Sequence, residues 1–361
     1  MTDPVRALVA VGVLVAATAC STNAPPIAAP PSRDTRPSVS PPVTTSPSPT
    51  AAAATVPWPH LPRPTPPRAL GAYRTTRTTR LSGGGTIAGG LVLPRVGGTQ
   101  DAPVVLTPCG RRVTPERAAL SYLSPGDGGP LPKAAAHVVV VVDPGHGGAA
   151  RGAKGADGSD EADRVLEISR EVRSALAGRV ARVVLTRDRD MDARQSYRVA
   201  VADALNADAA VSVHLNSEPD GPRATPGLET YGSVAGSAGR RFAGVMYASE
   251  RGYLDGLGGP WVGDRDAGAK YRTGRNGRDY YGLLRQAHVP WVISESMFIT
   301  APREAALVAQ PAVRRSLGRA IADGLVSFTQ TDAAGSGWVT RYPRPPAPPA
   351  PGSETCRDLA S

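Results

Sequence analysis

The run Val138-Val139-Val140-Val141-Val142-Asp143-Pro144-Gly145-His146-Gly147-Gly148 is the most informative stretch of this 361-residue chain. Five consecutive β-branched residues suit a strand covered on both faces, the kind found inside parallel sheets. The Asp-Pro-Gly-His-Gly-Gly that follows reads as a turn whose glycines admit close approach of backbone or ligand. Moving outward, Asp160 to Ala177 predicts a helix: Val165, Ile168, Val172 and Leu176 recur at spacings of three or four, and Gly178 stands where the helix should stop. Strands are expected at Arg182 to Thr186 and Ala209 to His214, with a helix at Ala193 to Asn206 between them. Extended Leu228 to Tyr231, helical Ala238 to Tyr253 and extended Trp291 to Ser294 come next. Pro302 to Thr329 reads as largely helical, broken by Pro311 near Ala309 or Gln310. Strands alternating with helices give an α/β fold, a mostly parallel sheet flanked by helices.

Before this region the composition changes. Arg6 precedes an apolar run, Ala7 to Ala17, of the length of a secretory signal core and too short for a membrane span. It ends in Ala17-Thr18-Ala19-Cys20, which resembles a lipobox, so residues 1–20 are expected to direct export and Cys20 to carry a lipid. Ordinary secretion, with an incidental cysteine, is the other reading; both place the protein outside the cytoplasm, membrane-anchored or released into the wall. Between Ser21 and Leu70 stand 15 prolines with few large apolar side chains, too little burial to offset ordering the backbone, so 21–80 is expected to be an unpacked tether. Short β-rich runs broken by Gly and Pro suggest a small β segment at 81–136, ahead of a catalytic domain at 137–331 and a loose Pro-rich tail at 332–361. With Cys20 lipidated, Cys109 and Cys356 remain, and an oxidising exterior permits them to pair.

The chain carries 41 Lys+Arg against 31 Asp+Glu, a formal charge of +10. Residues 1–136 hold 13 of the basic and 5 of the acidic groups, so most of the excess lies outside the enzyme-like region. A basic tether suits an anionic membrane or wall polymer. Nucleic acid is not an expected partner, since no basic stripe is interleaved with aromatics.

Reactive groups in open α/β sheets collect beyond the carboxyl ends of strands. Three such ends carry candidates here: His146, then His214 with Asn216, then Glu295. Two imidazoles and one carboxylate make a three-ligand zinc set with a fourth position open for water. A carboxylate near His146 is therefore sought, and Glu161 at the start of the first helix is reached across a Gly-rich loop. Asp160 and Asp163 compete with it, though acidic residues are common in a first helical turn.

Taken together, these residues resemble the zinc-dependent N-acetylmuramoyl-L-alanine amidases of the Amidase_3 type, over roughly Val138 to Phe328. The resemblance rests on Val-Val-Val-Asp-Pro-Gly-His-Gly-Gly leading to Glu161, on Leu185-Thr186-Arg187-Asp188 with Arg198 and Ala202 downstream, and on Ala207 to Ser217. It continues in Gly227-Leu228-Glu229-Thr230-Tyr231 and in Pro290 to Thr300. It implies Zn2+ held by His146, Glu161 and His214, Glu295 as catalytic carboxylate, and peptidoglycan as substrate, cut at the amide between N-acetylmuramic acid and L-alanine. A second reading is an inactive amidase-fold protein that binds peptidoglycan and regulates wall enzymes. The chain departs from the family pattern at Val165, Asp203, Met297 and Ala301, positions that bear on substrate fit rather than on the metal. Asp143 is expected to fix the turn or orient a ligand, Arg187 and Arg198 to form structural pairs, and the Gly- and charge-rich region between Tyr231 and Pro290, with Trp261, to vary with substrate.

Overall fold

The computed structural model describes residues 57–218, 227–257, 268–339 and 356–358. Cys20, Trp261 and the expected signal segment and lipobox lie outside these residues. Seven strands come first: β1 (Ala72–Thr75), β2 (Thr79–Arg80), β3 (Thr86–Ile87), β4 (Val92–Gly98), β5 (Pro103–Leu106), β6 (Arg112–Val113) and β7 (Leu120–Leu123). The α/β region follows as β8 (Val139–Pro144), α1 (Glu161–Leu176), β9 (Arg182–Leu185), α2 (Gln195–Ala204), β10 (Ala209–Asn216), β11 (Glu229–Gly232) and α3 (Ala238–Asp255). It closes with β12 (Gly268–Lys270), α4 (Gly282–Gln286), β13 (Trp291–Phe298), α5 (Pro302–Val308) and α6 (Pro311–Gln330).

The main sheet runs β12-β11-β13-β10-β8-β9, and every neighbouring pair is parallel except β11 with β13. The valine run behaves as its composition requires. Val138, Val140 and Val142 join the core beneath α1, α3 and α6, while Val139 and Val141 join the core beneath α2 and α4. Pro311 splits the last helical stretch as expected, because it cannot donate to the preceding turn and instead opens α6.

The expected boundary between tether and β segment at residue 80 is displaced. β1 is an interior strand, paired with β4 and β7, in an antiparallel sheet of order β6-β5-β4-β1-β7, so the β-rich unit begins by Ala72. Packing starts earlier still: Trp58 is buried, donates from Nε1 to the Ser233 carbonyl at 3.1 Å, and meets Tyr271 edge-on at 5.0 Å. A Pro-rich segment with few apolar groups can dock when one of them is a tryptophan, because a single indole buries as much surface as several small residues. The β-rich unit also shares its core with the larger one. Ala72 and Val92 pack with Tyr197, Val201 and Leu205, and the Tyr197 hydroxyl lies 2.6 Å from the Val92 carbonyl.

The tail is likewise not wholly loose. Trp338 donates to the Arg240 carbonyl at 2.9 Å and lies beneath the Arg240 guanidinium. Cys356 is disulfide-bonded to Cys109, their Cα atoms 5.5 Å apart. Among the described residues no helix is long and apolar enough to cross a membrane.

Candidate metal centre

His146 lies just beyond the end of β8, separated from it by Gly145, in the turn that the glycines permit. Its own φ is +57°, and Gly147 and Gly148 continue at +115° and +60°. A left-handed conformation at a residue bearing a side chain persists only where surrounding bonds enforce it. They do so here. Asp143, 1% exposed, accepts hydrogen bonds from Thr186 (2.5 Å), Ser212 (2.7 Å) and Arg198 (2.6 Å). Arg198 and Arg187, both buried, then donate to the backbone carbonyls of the turn. Neither arginine is placed to clamp substrate.

Glu161 opens α1, and the fold brings it between the two histidines. Its Oε2 lies 3.0 Å from His146 Nε2 and its Oε1 3.0 Å from His214 Nδ1, while the imidazole centroids are 4.8 Å apart. The amides of Ala153 (2.9 Å) and Leu215 (3.1 Å) also donate to its two oxygens. Burial works against its charge, but the hydrogen bonds from His146 and His214 outweigh it and hold the carboxyl well below the usual range. Burial pushes the His146 imidazole down despite Glu161. His214 is raised: its burial is overcome by the Glu161 hydrogen bond and the charge of Glu295. The competing aspartates face elsewhere. Asp160 takes Arg151 and Lys154, and Asp163 takes Arg151, on the outer side of the helix start.

The donor set suits a small divalent ion. Ligand atoms of His146, Glu161 and His214 lie within 4.8 Å of one another. A tetrahedral ion bonded at ~2.0–2.2 Å needs its donors roughly 3.4 Å apart, which short side-chain adjustments supply. Two glycines leave the room: a Cβ on Gly152 would stand 2.5 Å from Glu161 Oε2, and one on Gly145 would collide with the His214 ring. The histidine side chains keep 28% and 23% exposure against 5% for Glu161, so the centre opens to solvent on their side.

Glu295 stands in register with His214 across the β10–β13 pair, and with Glu229 across β11–β13. Glu229, 2% exposed, faces Lys270 at 3.1 Å and accepts from Asn216 (2.8 Å) and Tyr231 (2.6 Å). This buried group was not assigned from sequence. Alternation along Leu228-Glu229-Thr230-Tyr231 could have put Glu229 and Tyr231 on one face, but Lys270 sits on a three-residue strand that nothing in its Gly-rich surroundings announces. Met297 fills the apolar core under the helices rather than facing the histidines, Val165 is core, and Asp203 pairs with His288 at 2.7 Å. Of the basic region before Pro290, Arg272 stacks on Tyr280 at 3.8 Å, and Arg275 and Arg278 are exposed.

The family model described as N-acetylmuramoyl-L-alanine amidase, Amidase_3, matches residues 140–327. The N-acetylmuramoyl-L-alanine amidase AmiA of Escherichia coli is 30% identical over 222 residues, spanning 53% of this chain and 75% of that protein. The endolysin of Bacillus phage SPP1 is 31% identical over 198 residues, spanning 53% of this chain and 65% of the endolysin. Among solved structures, the catalytic domain of CwlV, an N-acetylmuramoyl-L-alanine amidase from Bacillus (Paenibacillus) polymyxa var. colistinus, is 30% identical, covers 53% of this chain and 97% of that one, and superposes with a TM-score of 0.45. With the family model spanning more than half of its length, the chain belongs to the Amidase_3 family of N-acetylmuramoyl-L-alanine amidases.

Proposed function

We propose that the protein is a zinc-dependent peptidoglycan hydrolase that cleaves the amide between N-acetylmuramic acid and the L-alanine of the stem peptide. The observation that carries this reading is Glu161, a buried carboxylate at the N-terminus of α1 held between two imidazoles from separate strand ends. Such a group is costly to bury without a cationic partner or a task, and a divalent ion supplies the partner. His146, Glu161 and His214 would hold the zinc, which when bound polarises the amide carbonyl and lowers the pKa of water toward ~7. Glu295, beside His214 in the sheet register, takes the proton from the attacking water and delivers it to the leaving amine. The Asp143, Arg187 and Arg198 bonds hold the turn rigid through the reaction. Peptidoglycan as substrate places the work outside the cytoplasmic membrane, in keeping with the export and lipid-attachment signals read at residues 1–20.

Mass spectrometry of muropeptides after digestion of purified wall tests the reading directly. Free L-alanine amino termini on stem peptides, lost on chelation and restored by zinc, are expected. Zinc-bound protein that leaves every lactyl amide intact would reject it.

A further inference from the structure

Arg198 does more than neutralise Asp143. It lies on α2 and is 5% exposed, and each of its three nitrogens has an acceptor. Nη1 donates to Asp143 Oδ1 and to the Pro144 carbonyl, both at 2.6 Å. Nη2 donates to the carbonyl of His146 itself at 2.6 Å, and Nε to the Ala193 carbonyl at 3.0 Å. Arg187 grips the same turn, donating to the carbonyls of Pro144 (3.1 Å) and Gly145 (2.6 Å) and to that of Ala162 (2.8 Å), the residue after Glu161. Three successive carbonyls, Pro144 to His146, are thus held by two guanidinium groups. His146 adopts its left-handed conformation at the position Arg198 holds.

We propose that Arg198 is a positioning residue for the metal centre: by fixing the His146 carbonyl it sets the backbone turn that aims the His146 ring at Glu161 and His214. The inference rests on the reading of those three residues as zinc ligands. It requires the planar fork of arginine, since three carbonyls and a carboxylate are met from one rigid group. A lysine keeps the charge beside Asp143, but its three N–H groups diverge from one nitrogen and cannot reach acceptors spread around the fork. The role reaches the metal through the protein backbone, with no contact to substrate.

The test uses the full chain, as purified and after stripping with chelator, with Arg198→Lys and Arg198→Gln. Zinc affinity is measured by competition with a chromophoric chelator. Hydrogen exchange is read in the stripped protein at Gly147 and Ala150, whose amides donate to each other's carbonyls (2.8 and 3.2 Å) just beyond His146. Expected are a zinc affinity roughly 10–100-fold weaker in both variants and faster exchange at Gly147 and Ala150, with no change within α1 or α6. Zinc binding by Arg198→Lys within twofold of wild type overturns the proposal, whether or not exchange has changed. Should Arg198→Gln fail to fold, Arg198→Lys and Asp143→Asn decide the matter. Asp143→Asn loosens Arg198 from its charged partner and should weaken zinc binding in the same direction by a smaller factor. A wild-type protein that takes up no zinc removes the ligand reading and this inference with it; normal wild-type binding with normal variant binding removes the inference alone.

Discussion

The proposed chemistry divides cleanly among single side chains. Glu295→Gln keeps the strand register and shape but cannot accept a proton, so turnover should fall by about 10²–10⁴-fold with one zinc still bound per chain. His146→Ala should instead lose the metal, as inductively coupled plasma analysis would show; full activity in Glu295→Gln would discard the assignment of the base. A second carboxyl matters for stability. Glu250 on α3 is fully buried, accepts from Ser294 (2.7 Å) and Ser296 (2.6 Å), and is pushed up to about 7 by burial, against the pull of those hydroxyls. The native state therefore binds this proton more tightly than the unfolded chain, where glutamate titrates near 4.5. Its contribution is complete below about pH 4.5 and is lost as pH rises through about 7, a slope worth on the order of 3 kcal/mol. Chemical denaturation across that window should show wild type losing stability relative to Glu250→Gln; parallel curves for the two proteins would refute the assignment.

Helix α6 lies between α1 and α3 and approaches each at a glycine. A Cβ on Gly318 would stand 2.5 Å from Glu171 Cβ and 2.9 Å from its backbone carbonyl carbon, whereas one on Gly324 would meet the Met246 sulfur at 2.8 Å and the backbone, at Met246 Cα, only at 3.3 Å. Backbone cannot yield and a methionine side chain can. Gly318→Ala should cost about 1–3 kcal/mol by overpacking, while Gly324→Ala should be near neutral, its strain offset by the better helix propensity of alanine. Equal unfolding midpoints for the two variants would contradict this ranking. Elements of this length were legible in sequence because their signals are long. The valine run, the α1 spacing and the proline at the head of α6 each integrate over many residues, and the observed ends fall within a few residues of those expected. β12 was not legible: Gly268-Ala269-Lys270 has no alternation to read, and its buried lysine is answered by Glu229, far along the chain. The choice of Glu161 over Asp160 and Asp163 was open for a related reason. All three lie at one helix start, and only the angle of α1 against β8 and β10 decides which of them faces inward.

For the molecule as a whole, composition set the inner ends of the Pro-rich segments too far toward the α/β region. Prolines marked residues 21–80 and 332–361 as unpacked, yet Trp58 and Trp338 each anchor a Pro-flanked segment onto the α/β region, and Ala72 to Arg80 contribute strands. Average content cannot report one well-placed indole. The pairing of Cys109 with Cys356, by contrast, was accessible from the cysteine count and the expected compartment. It spans 247 residues, and removing it with Cys356→Ser should lower stability by about 2–5 kcal/mol in urea unfolding under oxidising conditions, with reduced wild type following the same curve. Coincident curves for oxidised wild type and the variant would show that the bond contributes nothing. The bond also makes a covalent ring of nearly the whole α/β region. A protease that nicks any exposed link between residues 110 and 355 would leave both fragments on one molecule, migrating as a single band until a reductant releases them, so limited digestion of this protein has to be read with and without thiol.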